Sequence, residues 1–206
     1  MNMKGIDLSH WNGTVDFAKV KKAGYKFAIL KAGGSDSGYY KDTFFERNYS
    51  AAKKAGLYVG AYFFCGANFY KYPNKEASYF KKLLKGKEFE MPVYFDIESS
   101  PARTKALNTS ACKTMCSLME DDDYFVGIYG SDLNTFRSML TYESLTSYAM
   151  WVARYGKEPS HTYGIWQKSA TGNVSGVNGH VDLDLSTNDY PKTIKKKGFN
   201  GFTKQE

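Results

Sequence analysis

Val93-Tyr94-Phe95-Asp96-Ile97-Glu98 is the stretch from which the fold can be read. It starts as an unbroken apolar run, the pattern of a strand buried on both faces, as strands of parallel sheets are. It then closes on two acids two residues apart. Side chains alternate along a strand, so Asp96 and Glu98 point to the same side. Carboxylates on a buried strand are costly unless they meet water or take part in chemistry. The carboxyl end of a barrel strand supplies both conditions, because the loops there form a wet mouth.

Working outward, short runs rich in Val, Ile, Tyr and Phe alternate with amphipathic stretches, which predicts βα units. The strands expected are 4–8, 26–31, 58–64, 93–98, 124–129, 149–153, 164–168 and 181–185. Eight is the number that closes a barrel. Thr43 and Glu46 have capping-box spacing at the head of a helix stopping at Gly56. Asn74 is an expected cap for a helix whose Ala77, Phe80 and Leu84 share a face, ending near Gly86. Gly24, Gly56 and Gly86 each close a helix ahead of a strand. Beyond Tyr129 the helix signals fade. The expectation is therefore an α/β fold, an irregular TIM-like (β/α)-barrel with eight strands and fewer than eight helices.

The same placement of acids recurs. Gly5-Ile6-Asp7 ends the first strand and Val181-Asp182 lies on the last. First and last strands adjoin in a closed barrel, so Asp7 and Asp182 are expected side by side, facing Asp96 and Glu98 across the mouth. Such a gathering suits glycoside hydrolysis, in which crowded carboxylates push one another's pKa values apart. Any one of these acids alone has an ordinary reading as a helix cap or ion pair. Asp96 with Glu98 stands clear of that reading. Asp184 shares a face with Asp182 and is left outside the catalytic set.

The chain has 206 residues, enough for one domain with a sizeable core, and 42% of them are hydrophobic. One domain is expected over 1–190, with a surface tail or linker over 191–206. Aromatics reach 17%, mostly Tyr and Phe, and offer flat faces with polar edges as well as core material. The net charge of +7 favours a polyanionic partner. The lysines are dispersed and no nucleic-acid signature accompanies them. Three cysteines without a CxxC pair argue against a disulfide framework or structural zinc. Cys112 and Cys116, with Met115 and Met119, form a helical stripe read as core, and Asp121–Asp123 reads as a solvated helix end. The start, MNMKGIDLSHW, lacks the apolar core of a signal peptide, and no stretch approaches a membrane span. The expectation is a protein made in the cytoplasm, not inserted in a membrane, which reaches its target by another route.

The chain resembles a known family at several places in order. Gly5-Ile6-Asp7-Leu8-Ser9, Ala55-Gly56-Leu57-Tyr58-Val59-Gly60-Ala61-Tyr62 and Tyr94-Phe95-Asp96-Ile97-Glu98 are followed by Ala149-Met150-Trp151-Val152-Ala153-Arg154-Tyr155, Trp166-Gln167 and Gly179-His180-Val181-Asp182. These are similar to the successive motifs of glycoside hydrolase family 25, the Chalaropsis-type lysozymes that include many phage endolysins. The resemblance implies cleavage of the β-1,4 bond between N-acetylmuramic acid and N-acetylglucosamine in bacterial peptidoglycan. It implies Glu98 as proton donor, Asp96 as the residue that stabilises charge or aids the substrate acetamido group, and Asp7 and Asp182 as further acids of the pocket. Tyr62, Tyr129, Trp151 and Trp166 become candidate stacking surfaces. No cofactor or metal is implied, a monomer is expected, and anionic wall polymers become a candidate partner for the basic surface. Two departures stand out. Phe63 occupies a position that is often His in the family, and Gly33-Gly34-Ser35 stands where many relatives carry an acid.

The competing readings are weaker. A family 18 chitinase needs aspartates where this chain has Tyr94 and Met91. A thiol hydrolase built on Cys65 lacks a histidine placed beside it, and a small buried cysteine is the ordinary reading. Three dispersed histidines do not make a metal hydrolase, and the 33–38 loop lacks the spacing of a phosphate cradle. A non-catalytic wall-glycan-binding module remains as the alternative of another class. Retention of both Asp96 and Glu98 argues against it, and Glu98→Gln discriminates.

Overall fold

The computed structural model describes residues 2–101 and 104–204. Strand β1 (Met3–Leu8) leads through a 3-10 turn (His10–Asn12) and α1 (Phe17–Lys22) to β2 (Phe27–Gly34). A two-residue strand β3 (Tyr40–Lys41) precedes α2 (Phe45–Lys54), β4 (Tyr58–Phe64), a 3-10 turn (Phe69–Lys71) and α3 (Pro73–Leu84). Then come β5 (Val93–Asp96), α4 (Lys105–Glu120), β6 (Val126–Ser131) and a π-helix (Asp132–Met139). A 3-10 turn (Tyr142–Ser144), β7 (Ala149–Ala153), β8 (Ile165–Gly172), β9 (Val181–Ser186) and α5 (Tyr190–Lys197) complete the chain.

Eight strands close a barrel in the order β1-β2-β4-β5-β6-β7-β8-β9, with β3 pinned antiparallel to the end of β2. Alternation assigns every strand two jobs. Phe27, Ile29, Tyr94, Tyr129, Trp151 and Ile165 pack together inside the barrel. Their neighbours Ala28, Leu30, Phe95, Ile128 and Val152 belong to a second cluster beneath the helices. Gly5 is required inside: a Cβ there would lie 2.2 Å from the Phe27 ring, which fills the space between β1 and β2. The stripe of Cys112, Met115, Cys116 and Met119 is buried on α4, and Cys65 is likewise buried. Asp121–Asp123 follows the end of α4 as an exposed turn.

The sheet is not wholly parallel. β9 runs antiparallel to both β8 and β1. After β7 no α-helix appears until α5, so the outer faces of β8 and β9 are partly exposed. Two expected caps are corrected. The start of α2 has no cap from Thr43: Asp42 accepts from the Phe44 backbone N–H instead, at 2.8 Å. The first turn of α3 is opened by Pro73, whose fixed φ and missing N–H suit that place, and Asn74 lies inside it. Gly24, Gly56 and Gly86 do terminate helices, each with positive φ.

The segment expected as a tail is also corrected. Over Tyr190–Lys197 it is a helix capped by Asp189, and Ile194 is fully buried with Met3 and Met91 at the amino end of the barrel. Asn200, also fully buried, ties this segment to 89–91 and Phe125 through both ends of its side-chain amide. The pairing of apolar Ile194 with three exposed-side lysines is an amphipathic pattern that a lysine-rich reading hides. Residues 1 and 205–206, the outer ends of the expected domain and tail, lie outside the described residues. No helix among the described residues is long and apolar enough to cross a membrane.

Candidate active site

β5 delivers its acids to the mouth. Asp96 ends the strand, and the ladder continues one step as the Ile97 N–H donates to the Tyr129 carbonyl at 3.0 Å. Thr135 Oγ1 then donates to the Ile97 carbonyl at 2.8 Å, holding the backbone from which Glu98 projects. Asp96 is 4% exposed, and its Oδ1 accepts no hydrogen bond. Burial raises its pKa well above the usual carboxylate range, and Glu98 adds to that while Lys31 opposes it. Glu98 is reached by solvent but crowded on its inner side. Desolvation raises its pKa too; Lys31 pulls it down and Asp182 pushes it up. Lys31, nearly buried on β2, stands over the Phe64 ring at 4.5 Å.

Opposite lie β1 and β9. Asp7 and Asp182 are direct cross-strand partners, and Asp184 pairs with Gly5 one step deeper. The reversal of β9 explains how Asp182, near that strand's beginning, reaches the carboxyl rim where Asp7 sits. Gln167 Nε2 donates to Asp7 at 2.8 Å, and Gln167 Oε1 accepts from Tyr129 at 2.8 Å and Tyr155 at 3.1 Å. Trp151 Nε1 donates to Asp184 at 2.8 Å. Burial raises the pKa of Asp7 well above its usual value, reinforced by Asp184 and Asp182. Burial alone dominates the rise at Asp182, and it lifts Asp184 to about 8.

These groups line a cavity of about 300 Å³ that holds Asp7, Lys31, Tyr62, Asp96, Glu98, Tyr129, Trp151, Gln167 and Asp182. Seven of the eight residues expected at the site thus line one cavity, with Asp96 and Glu98 facing the β1–β9 acids. Trp151 is 1% exposed, so it forms the floor and carries Asp184 in place of offering a stacking face. It sits amid Tyr62, Tyr94 and Tyr129, with ring centroids 4.4–6.0 Å away. Trp166 lines neither this cavity nor its neighbour. It precedes inward-facing Gln167, so alternation turns it outward, where Nε1 donates to the Arg154 carbonyl at 2.7 Å.

A second cavity of about 610 Å³ shares Glu98 and Tyr129 with the first and continues between Leu133, Asn134, Arg154, Tyr155 and Lys157. Glu98 therefore stands between two lobes of one cleft. The wall of the second lobe is anchored by Asp132. That fully buried carboxylate accepts from Arg154 at 2.5 Å, His161 Nδ1 at 2.7 Å and the backbone N–H groups of Ser160 and His161. These bonds outweigh its burial and hold its pKa far below normal. Trp11, 84% exposed, projects beside the first cavity on a turn closed by a Ser9–Asn12 capping box. His10 on that turn binds buried Asp42 at 2.8 Å. Among the described residues no group of three or more His, Cys, Asp or Glu side chains is arranged to hold a metal ion.

Lys31, Trp11 and Gln167 are site residues that the strand pattern does not single out, and Asp184, which shares a face with Asp182, is left outside the catalytic set by it. Lys31 ends an apolar run, where a charged residue ordinarily marks a strand leaving the core. Its own inward position on β2 was the available signal.

The sequence profile of Glycosyl hydrolases family 25 matches residues 6–177, which spans both walls of the cavity up to the turn before β9. The chain belongs to this family. Among similar proteins, Lysozyme M1 of Streptomyces globisporus is 33% identical over 198 residues, 87% of this chain and 66% of that protein. An autolytic lysozyme of Clostridium acetobutylicum is 28% identical over 185 residues, 88% of this chain and 55% of its own length. The chain thus spans somewhat less than two thirds of these two relatives. The crystal structure of a bacterial lysozyme from Streptomyces coelicolor superposes with a TM-score of 0.74 at 30% identity, covering 90% of this chain and 92% of that one. The irregular barrel with an antiparallel last strand is therefore the family 25 fold in this chain too.

Proposed function

We propose that this family 25 chain is an N-acetylmuramidase that cleaves the β-1,4 bond between N-acetylmuramic acid and N-acetylglucosamine in peptidoglycan. The observation that carries the proposal is the paired carboxylates of β5, one buried and one reached by solvent, between two lobes of a single cleft. Membership of the family and lysozyme relatives support the same substrate.

Burial raises the pKa of Glu98, the direction a general acid needs. Glu98 gives its proton to the glycosidic oxygen as the bond to the muramic acid C1 breaks. Asp96 accepts the acetamido N–H of that sugar through its unbonded Oδ1, and the acetamido oxygen closes on C1. The leaving glucosamine end departs as a neutral alcohol. Glu98, now a carboxylate, takes a proton from water, whose oxygen attacks C1, reopens the ring and restores the acetamido group. Lys31 limits the negative charge on Asp96 and Glu98. Asp7 and Asp182 line the opposite wall and contact sugar hydroxyls, while Asp184 supports that wall from beneath Trp151.

Among the described residues, five of the six large apolar side chains that are exposed (Trp11, Tyr39, Tyr72, Leu133 and Tyr155) border the cleft or its extension, and Leu107 does not. Exposed aromatics gathered along a polar groove fit the flat faces of sugar rings. The +7 charge would draw the protein to anionic wall polymers in a salt-sensitive way, so equal wall binding in low and high salt would remove that role. The site of action is the cell wall, and the chain acts as a monomer.

Turbidity loss of a purified peptidoglycan suspension, measured with wild type and Glu98→Gln and accompanied by sedimentation of bound protein, tests the proposal. Hydrolysis by wild type, lost in the variant while binding persists, supports it. Binding without hydrolysis in the wild type would make the chain a wall-glycan-binding module.

A further inference from the structure

A further cavity, of about 350 Å³, opens at the amino end of the barrel, where β7 and β8 begin and β9 ends. Among the described residues it shares no lining residue with either lobe of the cleft, and the length of β7 lies between them. No α-helix follows β7 before α5, which leaves these strand ends to loops.

The walls are fixed before any ligand arrives. The Gly164 N–H donates to the Met150 carbonyl at 2.9 Å, and the Gly164 carbonyl accepts from the Thr187 N–H at 3.0 Å. Tyr142 OH donates to the Thr162 carbonyl, and Ser186 Oγ donates to the Asn188 carbonyl at 2.9 Å. A Cβ at Gly164 would lie 1.7 Å from Tyr190 OH, so glycine alone admits that hydroxyl to the wall. Tyr190 is held in turn by the Phe125 ring, with centroids 5.7 Å apart, and by Asn188 Nδ2, which donates to its hydroxyl at 3.4 Å.

The lining is aromatic and polar but carries no charge. Phe125, Tyr148 and Tyr163 are half-buried along it, and Ser147, Thr162 and Asn188 are exposed at its rim with two hydroxyls and an amide. Among the described residues no charged side chain lines it, in a chain of which 24% is charged. An ion entering this cavity would shed water without meeting a counter-charge. A neutral sugar avoids that cost, and it matches aromatic faces set beside a few fixed polar groups.

We propose that this cavity is a second glycan-binding site, remote from the cleft, for a neutral N-acetylglucosamine unit of the wall. Muramic acid is the poorer occupant, because its lactyl group carries a carboxylate or a peptide. Sites at opposite ends of one domain hold two stretches of a repeating polymer, and the second attachment is then intramolecular. The inference goes beyond the muramidase reading: it concerns binding, and it stands whichever linkage the cleft cuts.

Titration of the 15N-labelled wild type with the trisaccharide of N-acetylglucosamine tests the proposal. The amide signals of Ser147, Thr162 and Gly164 should shift to saturation, separately from those around Glu98. In Ser147→Trp, which fills the cavity from an exposed position, the first set of shifts should vanish and the second persist. Asn188→Ala, also at an exposed position, should weaken the first set alone, which keeps the test open if the tryptophan variant does not fold. Added to Glu98→Gln, Ser147→Trp should bind sedimented peptidoglycan about tenfold more weakly. Shifts confined to the cleft, or equal wall binding with and without Ser147→Trp, would overturn the second site. Muramyl dipeptide shifting these amides where the trisaccharide does not would overturn the neutral-sugar assignment. Failure of the muramidase reading would show instead as new glucosamine ends after reduction, and would leave these shifts untouched.

Discussion

The two sides of the barrel mouth carry acids under different constraints. On the β5 side Asp96 ends a parallel strand and Glu98 follows two residues later, both under the charge of Lys31, and Glu98 meets solvent. On the β1–β9 side Asp7, Asp182 and Asp184 come together across an antiparallel pair, and two of the three are sealed against Gln167 and Trp151. Burial raises the pKa on both sides, but the surroundings differ. A proton donor must exchange with water after each turnover, and Glu98 can. Asp184 is enclosed beneath Trp151, which suits a group that shapes the site without titrating through each cycle.

Variants can break this contrast. Glu98→Gln should lower kcat on peptidoglycan by about a thousandfold, with little change in melting temperature, since an exposed side chain is replaced by a near-isostere. Asp96→Asn should cost about a hundredfold, because an amide can still lie under the acetamido group but cannot accept its N–H as an anion does. A larger loss from Asp96→Asn than from Glu98→Gln would reverse the roles. Both are read as initial rates of reducing-end release.

Asp184→Asn should change stability more than rate. A carboxyl whose folded pKa is raised to about 8 holds its proton in the native state while the unfolded chain has already released it. Its contribution is therefore present at low pH and is lost as pH rises from the ordinary carboxylate range toward about 8. The variant should melt about 3 °C higher than wild type near pH 8 and show a smaller gain near pH 4. A wild-type melting temperature that climbs across this range, with no gain in the variant, would count against a protonated Asp184. The smallest effect should come from Trp166→Phe, less than about twofold in kcat/KM, because the outward ring loses only its bond to the Arg154 carbonyl.

How much of this the sequence discloses depends on what covers each strand. β2, β4 and β5 are buried on both sides and read as apolar runs, so the first half of the barrel is legible. β8 and β9 have partly exposed outer faces and no helix between them, so pattern gives the strands but not their direction. Asp7 and Asp182 were still expected as neighbours, because closure alone brings first and last strands together; the reversal of β9 decides that they meet at the rim. Trp166 illustrates the reverse case. An aromatic at a strand end looks like a sugar platform, and only its parity with Gln167 shows that it faces away. Trp11 lies in a turn with no periodicity, so nothing but the fold brings it to the cleft. Isolated lysines after Pro191 hid an amphipathic helix because its buried face is carried by few residues, Tyr190 and Ile194 foremost.

The central claim is that the β5 carboxylates cut one particular linkage. Peptidoglycan digested with the protein, reduced with borohydride and analysed by mass spectrometry reports which sugar ends are new. The account predicts reduced muramic acid ends that are absent with Glu98→Gln. Reduced glucosamine ends would contradict it, as would muramic acid ends that persist in the variant.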